Sequence, residues 1–323
     1  MTVTRRSVLG AAAAPLVARA ARAQESWSPD RPIRMVVGFA PGGGTDITAR
    51  AMAPRLSALL GQPVVVENRP GAGGNIATEA VARATPDGHT MLMGTIAALA
   101  VNPALYASLP FNPLTDLTAV ALAVTTHDVL VVHPSTRIRT VSELIERARG
   151  AELSYGTSGI GTAGHLSGEL FNLLAGVKLT HVPYRGGGAL ANDLLSGQVP
   201  ISFASVSTAA PMVDTGRLVG LATTGSKRSD RLPALPTVAE AGVRDFESSN
   251  WYGLVGPRGM PPAMVARWNR AMNEALSDPG VLDVLQRQGL EAEPGTPEAF
   301  LAFMRSETEK WGRVMRAAGA RAE

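Results

Sequence analysis

Four glycine-rich stretches, each set between an apolar run and a helical pattern, constrain this chain more than any other feature. They are Ala40-Pro41-Gly42-Gly43-Gly44-Thr45-Asp46, Gly71-Ala72-Gly73-Gly74-Asn75, Gly156-Thr157-Ser158-Gly159-Ile160-Gly161-Thr162 and Tyr184-Arg185-Gly186-Gly187-Gly188. Free N–H groups at a helix N-terminus, with the helix dipole behind them, favour an anion. Glycine lets a ligand approach the backbone and permits positive φ. Thr45, Asn75, Ser158 and Thr162 can cap their helices or reach a ligand. A tight turn explains one such loop on its own. Several loops in one chain, each before a helical segment, point to a clamp for an anion that needs no lysine or arginine.

The surrounding pattern is strand, loop, helix, repeated. Ile33–Phe39, Pro63–Glu67 and Thr90–Gly94 read as buried strands, with helices expected over Thr45–Leu60 and Ile76–Ala84. Gly61 is placed to end the first helix, and Pro54 inside it predicts a kink or a break. The pattern recurs with strands at Val129–Val132, Leu153–Tyr155, Thr180–Tyr184, Val199–Phe203 and Arg217–Thr223, interleaved with helices at Val141–Arg149, Ala163–Leu174 and Ala189–Leu195. Such alternation predicts an α/β fold with mostly parallel sheets. The C-terminal third is helical over Pro261–Leu276, Pro279–Gln288 and Pro297–Ala318, each opening near a proline.

The length of 323 residues suits two lobes rather than one compact domain. The first residues stand apart. Arg5-Arg6, an apolar stretch from Val8 to Ala18 and Ala21-Arg22-Ala23 have the form of a cleavable export signal over residues 1–23, and the arginine pair resembles a twin-arginine signal. The apolar stretch is too short to span a bilayer. The net charge of +3 includes Arg5, Arg6, Arg19 and Arg22; without them 26 basic residues face 27 acidic ones, a net of −1. The basic balance belongs partly to the leader, and nucleic acid is not an expected partner. With no cysteine in the chain, disulfides, thiolate catalysis, cysteine metal sites and a lipidated cysteine anchor are excluded.

Other chemistries find little support. None of the loops carries the lysine of a phosphate-binding P-loop. Gly159-Ile160-Gly161-Thr162-Ala163-Gly164 matches G-x-G-x-x-G, but the next strand ends in Pro183-Tyr184-Arg185 with no acid for a ribose. No G-x-S-x-G elbow occurs. His165 and Glu169 share a helix face at a spacing that could hold a metal, yet no second ligand cluster accompanies them. Asp46 fits either helix-start stabilisation or a hold on a ligand ammonium. Trp251 and Tyr252 read as core or hinge residues. No catalytic residue, cofactor or metal is expected.

Read in order, the segments PIRMVVGFAPGGGTDITAR, LGQPVVVENRPGAGGNIATEAVARATPDGHTMLMG, LSYGTSGIGTAGHLSGELF, VPYRGGGALANDLLSGQV and LPTVAEAG, with SNWYGLVGP and KWGRVMRAAG further on, resemble the Bug (TctC-like) family of periplasmic solute receptors of tripartite tricarboxylate transporters. The resemblance runs from about Pro32 to the C-terminus. It implies a two-lobed Venus-flytrap fold, with lobe 1 formed by residues 24–128 plus 252–323 and lobe 2 by residues 129–251. It implies a periplasmic receptor, a monomer, that captures a small carboxylate between the lobes through backbone groups and bridging waters and delivers it to membrane permease subunits. A co-receptor role in signalling, or an enzyme on the same frame, are the alternatives. Carried over by motif, the ligand-binding residues are Phe39, Ala40, Gly43, Thr45 and Asp46 on the first loop, Asn75 on the second, and Ser158, Gly159, Thr162 and His165 on the third. Arg185 stands where relatives often have lysine. Many relatives resemble Phe-Asp-Asn where this chain has Phe203-Ala204-Ser205, which leaves ligand choice to the pocket end around Ala204 and Ser205.

Overall fold

The computed structural model of the protein describes residues 27–184 and 187–321. The leader and Arg185 lie outside the described residues. In chain order the first half holds β1 (Ile33–Val37), α1 (Gly44–Leu60), β2 (Val64–Asn68), α2 (Asn75–Ala82), β3 (Thr90–Thr95), a helical segment Ala97–Val101 running into α3 (Asn102–Leu105), α4 (Pro113–Asp116) and β4 (Leu117–Val132). The middle holds α5 (Val141–Gly150), β5 (Leu153–Thr157), α6 (Ala163–Ala175), β6 (Leu179–Pro183), α7 (Gly187–Ser196), β7 (Ile201–Ser205), α8 (Val206–Asp214) and β8 (Val219–Thr223). The chain ends with β9 (Ser249–Pro257), α9 (Pro262–Leu276), α10 (Pro279–Arg287), β10 (Leu290–Ala292) and α11 (Pro297–Ala318).

The strands line up in the order β2-β1-β3-β9-β4-β7-β5-β6, with β8 and β10 also paired to β4. β1 is parallel to both β2 and β3, and β5 is parallel to both β6 and β7. These are the parallel units that alternating strands and helices predict. β4 and β9 are the departures. β9 runs antiparallel to β3 and β4, and β4 runs antiparallel to β7 and β8.

One strand therefore belongs to two sheets. Leu117 to His127 of β4 pair with β9, while Asp128 to Val132 pair with β7 and, from Val129 onward, with β8. Asp128 stands at the seam. Only Val129–Val132 of β4 is visible as a strand in the sequence. The earlier part, LTAVALAVTT, is alanine- and threonine-rich and lacks the turn residues that would bound it.

Helices cover both faces. On the first sheet, α1, α9 and α10 bury Met52, Leu56, Trp268, Met272 and Leu285 against Ile33, Met35, Val37 and Leu254. On its other face a larger cluster, including Leu99, Phe300, Trp311 and Met315, continues without a break to Phe171, Leu166 and Tyr155 beside the second sheet. Leu190, Leu194 and Val206 pack on the far face of that second sheet. Each fully buried side chain of this size contributes about 1.5–3 kcal/mol. α11 reaches both halves, packing on α6, β4 and the Ala97–Leu105 helical segments.

α1 runs unbroken through Pro54 and ends at Gly61, whose φ is 78° and whose N–H bonds to the Ser57 carbonyl. The proline removes one i→i−4 bond, but Arg50 and Pro54 both face solvent. Water can satisfy the Arg50 carbonyl, so the helix continues. No helix among the described residues is long and apolar enough to cross a membrane.

Candidate functional site

A cleft of about 630 Å³ lies along the seam between the two sheets. That is the size of a pocket for a small organic ligand. Its walls come from four places where a strand hands over to a helix. Phe39 to Thr45 lead into α1. Thr95, Ile96 and Ala97 follow β3. Ser158 and Thr162 to Gly164 lead into α6. Ser205, Ser207 and Thr208 open α8. Asn250 and Tyr252 of β9, with Thr126 and Asp128 of β4, form the seam side.

The helix starts are open. α1 begins after Gly43, α6 after Thr162 and α8 after Ser205, and none of the three has a side chain capping its first N–H groups. Three uncapped helix N-termini from two sheets thus converge on one space. Their backbone donors and dipoles make it favourable to an anion. Gly44 permits the approach of β9, because a Cβ there would come within 2.6 Å of the Tyr252 hydroxyl. Asn250 Nδ2 donates to that hydroxyl at 3.2 Å. Burial pushes the Tyr252 phenol up to about 12, so it stays protonated and can donate.

Of the residues expected to bind ligand, Phe39, Ala40, Gly43, Thr45, Ser158, Thr162 and Ser205 line the cleft. Asp46, Asn75, Gly159 and His165 stand behind it. Asp46 braces the first loop: its Oδ2 accepts from the Gly42 N–H at 2.9 Å, and its Oδ1 accepts from Arg50 Nε and Asn68 Nδ2, each at 2.9 Å. Burial raises this carboxyl, but the bonds from Arg50, Gly42 and Asn68 outweigh it and hold the pKa below the usual range. Asn75 Oδ1 accepts from Asn102 Nδ2 at 2.6 Å, and the same nitrogen reaches the Gly73 carbonyl at 3.2 Å. The second loop therefore supports the first, and a Cβ on Gly38 would lie 2.9 Å from the Gly74 Cα.

The third loop is held in the same way. Gly159 N–H donates to Thr157 Oγ1 at 3.2 Å, and Thr162 Oγ1 donates to the Gly159 carbonyl at 2.7 Å. His165 Nδ1 accepts from the Gly161 N–H at 3.1 Å, and its ring stacks on His181 with centroids 4.1 Å apart. Burial holds His165 down to about 4 and His181 down to about 3, the latter lowered further by its neighbour. Both imidazoles are neutral near pH 7. His165 Nε2 is 3.8 Å from Glu169, whose Oε1 accepts from the Tyr155 hydroxyl at 2.7 Å. No group of three potential metal ligands occurs among the described residues.

Reading the sequence missed Thr95, Thr126, Asp128, Thr208 and Asn250 as lining residues, and assigned Tyr252 to core or hinge. Tyr252 is buried and also faces the cleft. Its neighbours on β9 would have been a guide, because a strand beside a glycine loop exposes every second residue to it.

The sequence pattern described as "Tripartite tricarboxylate transporter family receptor" matches residues 48–320. The chain is 38% identical over 296 residues to Protein BugT of Bordetella pertussis, covering 91% of each chain. Among solved structures it resembles R. palustris Rpa4515 with adipate, at 36% identity and a TM-score of 0.83, covering 91% of this chain and 99% of that one. It also resembles MatC (Rpa3494) from Rhodopseudomonas palustris with bound malate, at 32% identity and a TM-score of 0.79, covering 88% of this chain and 99% of that one.

Proposed function

The chain belongs to the tripartite tricarboxylate transporter receptor family, a family of periplasmic solute-binding receptors and not of enzymes, and from that premise we propose that it captures a small carboxylate in the seam cleft and presents it to membrane permease subunits. The observation that carries this reading is the convergence of the uncapped starts of α1, α6 and α8 on one cleft. Backbone N–H groups there, with bridging waters, hold the ligand carboxylate. Adipate and malate in the related structures are carboxylates of fitting size.

The lobes are residues 24–128 plus 252–323 and residues 129–251, and they close on the ligand. Contacts made with both lobes favour the closed state, because only differential affinity shifts such an equilibrium. The leader directs the chain to the periplasm and is removed near Ala23. Arg185, expected from the sequence to contact ligand, would give a more directional hold on a carboxylate than a lysine.

Native mass spectrometry of the protein as purified, followed by calorimetry with mono-, di- and tricarboxylates, tests the reading. A carboxylate should bind and shrink the radius of gyration in solution scattering. Failure of every carboxylate, or tight binding of a nucleotide instead, would remove the proposal.

A further inference from the structure

Asp128 is the one formally charged side chain among the described residues that line the cleft. It is only 5% exposed. Its backbone is fully used: the N–H donates to Thr224 Oγ1 at 2.9 Å and the carbonyl accepts from the Thr224 N–H at 3.0 Å. These bonds fix the residue at the point where β4 passes from pairing with Ser249 of β9 (at His127) to pairing with Ser205 of β7. The carboxyl is not satisfied. Oδ2 is sealed from solvent and has no hydrogen-bond partner. Thr95 Oγ1, at the end of β3 and also on the cleft wall, is likewise buried and unpartnered.

An unpaired buried carboxylate is costly, and folded chains normally give it a cation or donors. The groups facing Asp128 supply no cation. Ser205 of β7 is its strand partner and Tyr252 of β9 feels its charge, and the polar lining residues Asn250, Thr126 and Thr45 are uncharged. Basic groups nearby are engaged elsewhere. Lys227 is held by Glu291 at 2.7 Å, and burial lowers the pKa of His127, so its ring offers no cation. Burial pushes the Asp128 carboxyl up to about 7, so near neutrality a cation beside it would ionise it fully.

The helix starts offer donors and so recognise a carboxylate. Asp128 offers an acceptor on the seam wall and asks for a donor. We propose that Asp128 is a specificity-determining residue, and that its carboxyl group on the cleft wall selects a carboxylate that also carries an ammonium group over the same skeleton without one. The inference rests on the carboxylate-receptor reading and names the ligand class within it.

Paired ligands test it: aspartate against succinate, glutamate against glutarate, and 2-aminoadipate against adipate, measured by calorimetry on the mature chain. At least one amino acid should bind about tenfold or more tightly than its partner, as a charge-assisted hydrogen bond provides. Binding should release protons near pH 7, read as heats that vary with buffer. Asp128→Asn should erase the preference while keeping a cooperative unfolding transition. Tighter binding of the plain dicarboxylates, or a preference that survives Asp128→Asn, overturns the assignment but leaves the receptor reading intact. Failure of both series to bind overturns both.

Discussion

Gly43 and Gly159 hold similar places in their loops, yet a side chain would meet different fates at the two. Gly43 has φ −79° and ψ 163°, extended backbone open to any residue. A Cβ there would have only the Ala40 carbonyl within reach, at 3.7 Å, and would stand in the cleft wall. Gly159 has φ 143°, and its Cβ would lie 3.4 Å from the Tyr184 carbonyl. Gly43→Val should therefore abolish ligand affinity in calorimetry and leave Tm nearly unchanged. Gly159→Val should cost about 1–3 kcal/mol of stability through backbone strain, seen as a lower Tm without ligand. Equal Tm losses in the two variants would contradict this division. Asp128 gives a second test. Its carboxyl titrates near 3.8 when unfolded and near 7 when folded. Between these values the folded chain binds more protons, so this group's contribution is most favourable below pH ~4 and is lost as pH rises to about 7. Asp128→Asn removes that dependence. Its stability relative to the parent should grow from little near pH 4 to on the order of 4 kcal/mol above pH 7, measured by urea unfolding across pH. A difference flat in pH would show that the carboxyl is not held as described. The loops themselves were legible from glycine and pattern. Which side chains face the cleft was not, because the partners that turn Asp46 and Asn75 away are Asn68 and Asn102, 22 and 27 residues distant along the chain.

Elements show the same limit in another form. β9 was not read as a strand, because its glycines argue against one in sequence. Their reason is packing: a Cβ on Gly253 would fall 2.2 Å from the Phe300 ring, and one on Gly256 would fall 2.1 Å from Met260 Sδ. Glycine lets α11 and the turn before α9 lie close on the strand. The helices α1, α6, α9, α10 and α11 were legible because prolines, glycines and apolar spacing mark their ends and faces. α8 was not, since its start VSTAAP carries no strong helical signal. α11 is tied to β9 by one carboxylate. Glu307 Oε2 accepts from Trp251 Nε1 at 3.0 Å and from Trp311 Nε1 at 2.9 Å. All three residues are buried. Glu307→Ala strands two indole N–H groups and should cost about 2–4 kcal/mol by denaturant unfolding. Glu307→Gln keeps one acceptor and should cost about half as much. If Glu307→Ala unfolds at the same denaturant concentration as the parent, the two bonds add nothing net.

At the scale of the molecule, two lobes were expected, and the two sheets share a single strand. β4 has eleven residues, Leu117 to His127, in the first sheet and Asp128 to Val132 in the second. α11 packs on α6 and β4 together, and one apolar cluster runs from Trp311 to Tyr155 without a gap. Unfolding the half around β5 would expose the α11 face, and unfolding the other half would strip β4 of its pairing with β9. Neither half can open without exposing a large apolar surface, at about 25 cal/mol per Å². The chain should then unfold in one cooperative step even though it is longer than most two-state domains. The tryptophans offer a clean probe. Trp27, Trp268 and Trp251 pack in or beside the first sheet, and Trp311 sits on α11; the second sheet has none. Tryptophan fluorescence therefore reports the first sheet and the α11 face that both halves share, while far-UV circular dichroism reports the whole chain. Coincident urea curves from the two probes are the expected result, and a carboxylate bound as proposed, in contact with α1, α6 and α8 across the seam, should move both midpoints upward together. A fluorescence curve that separates from the dichroism curve, or a ligand that shifts only one of them, would mean that the shared strand and helix do not couple the halves.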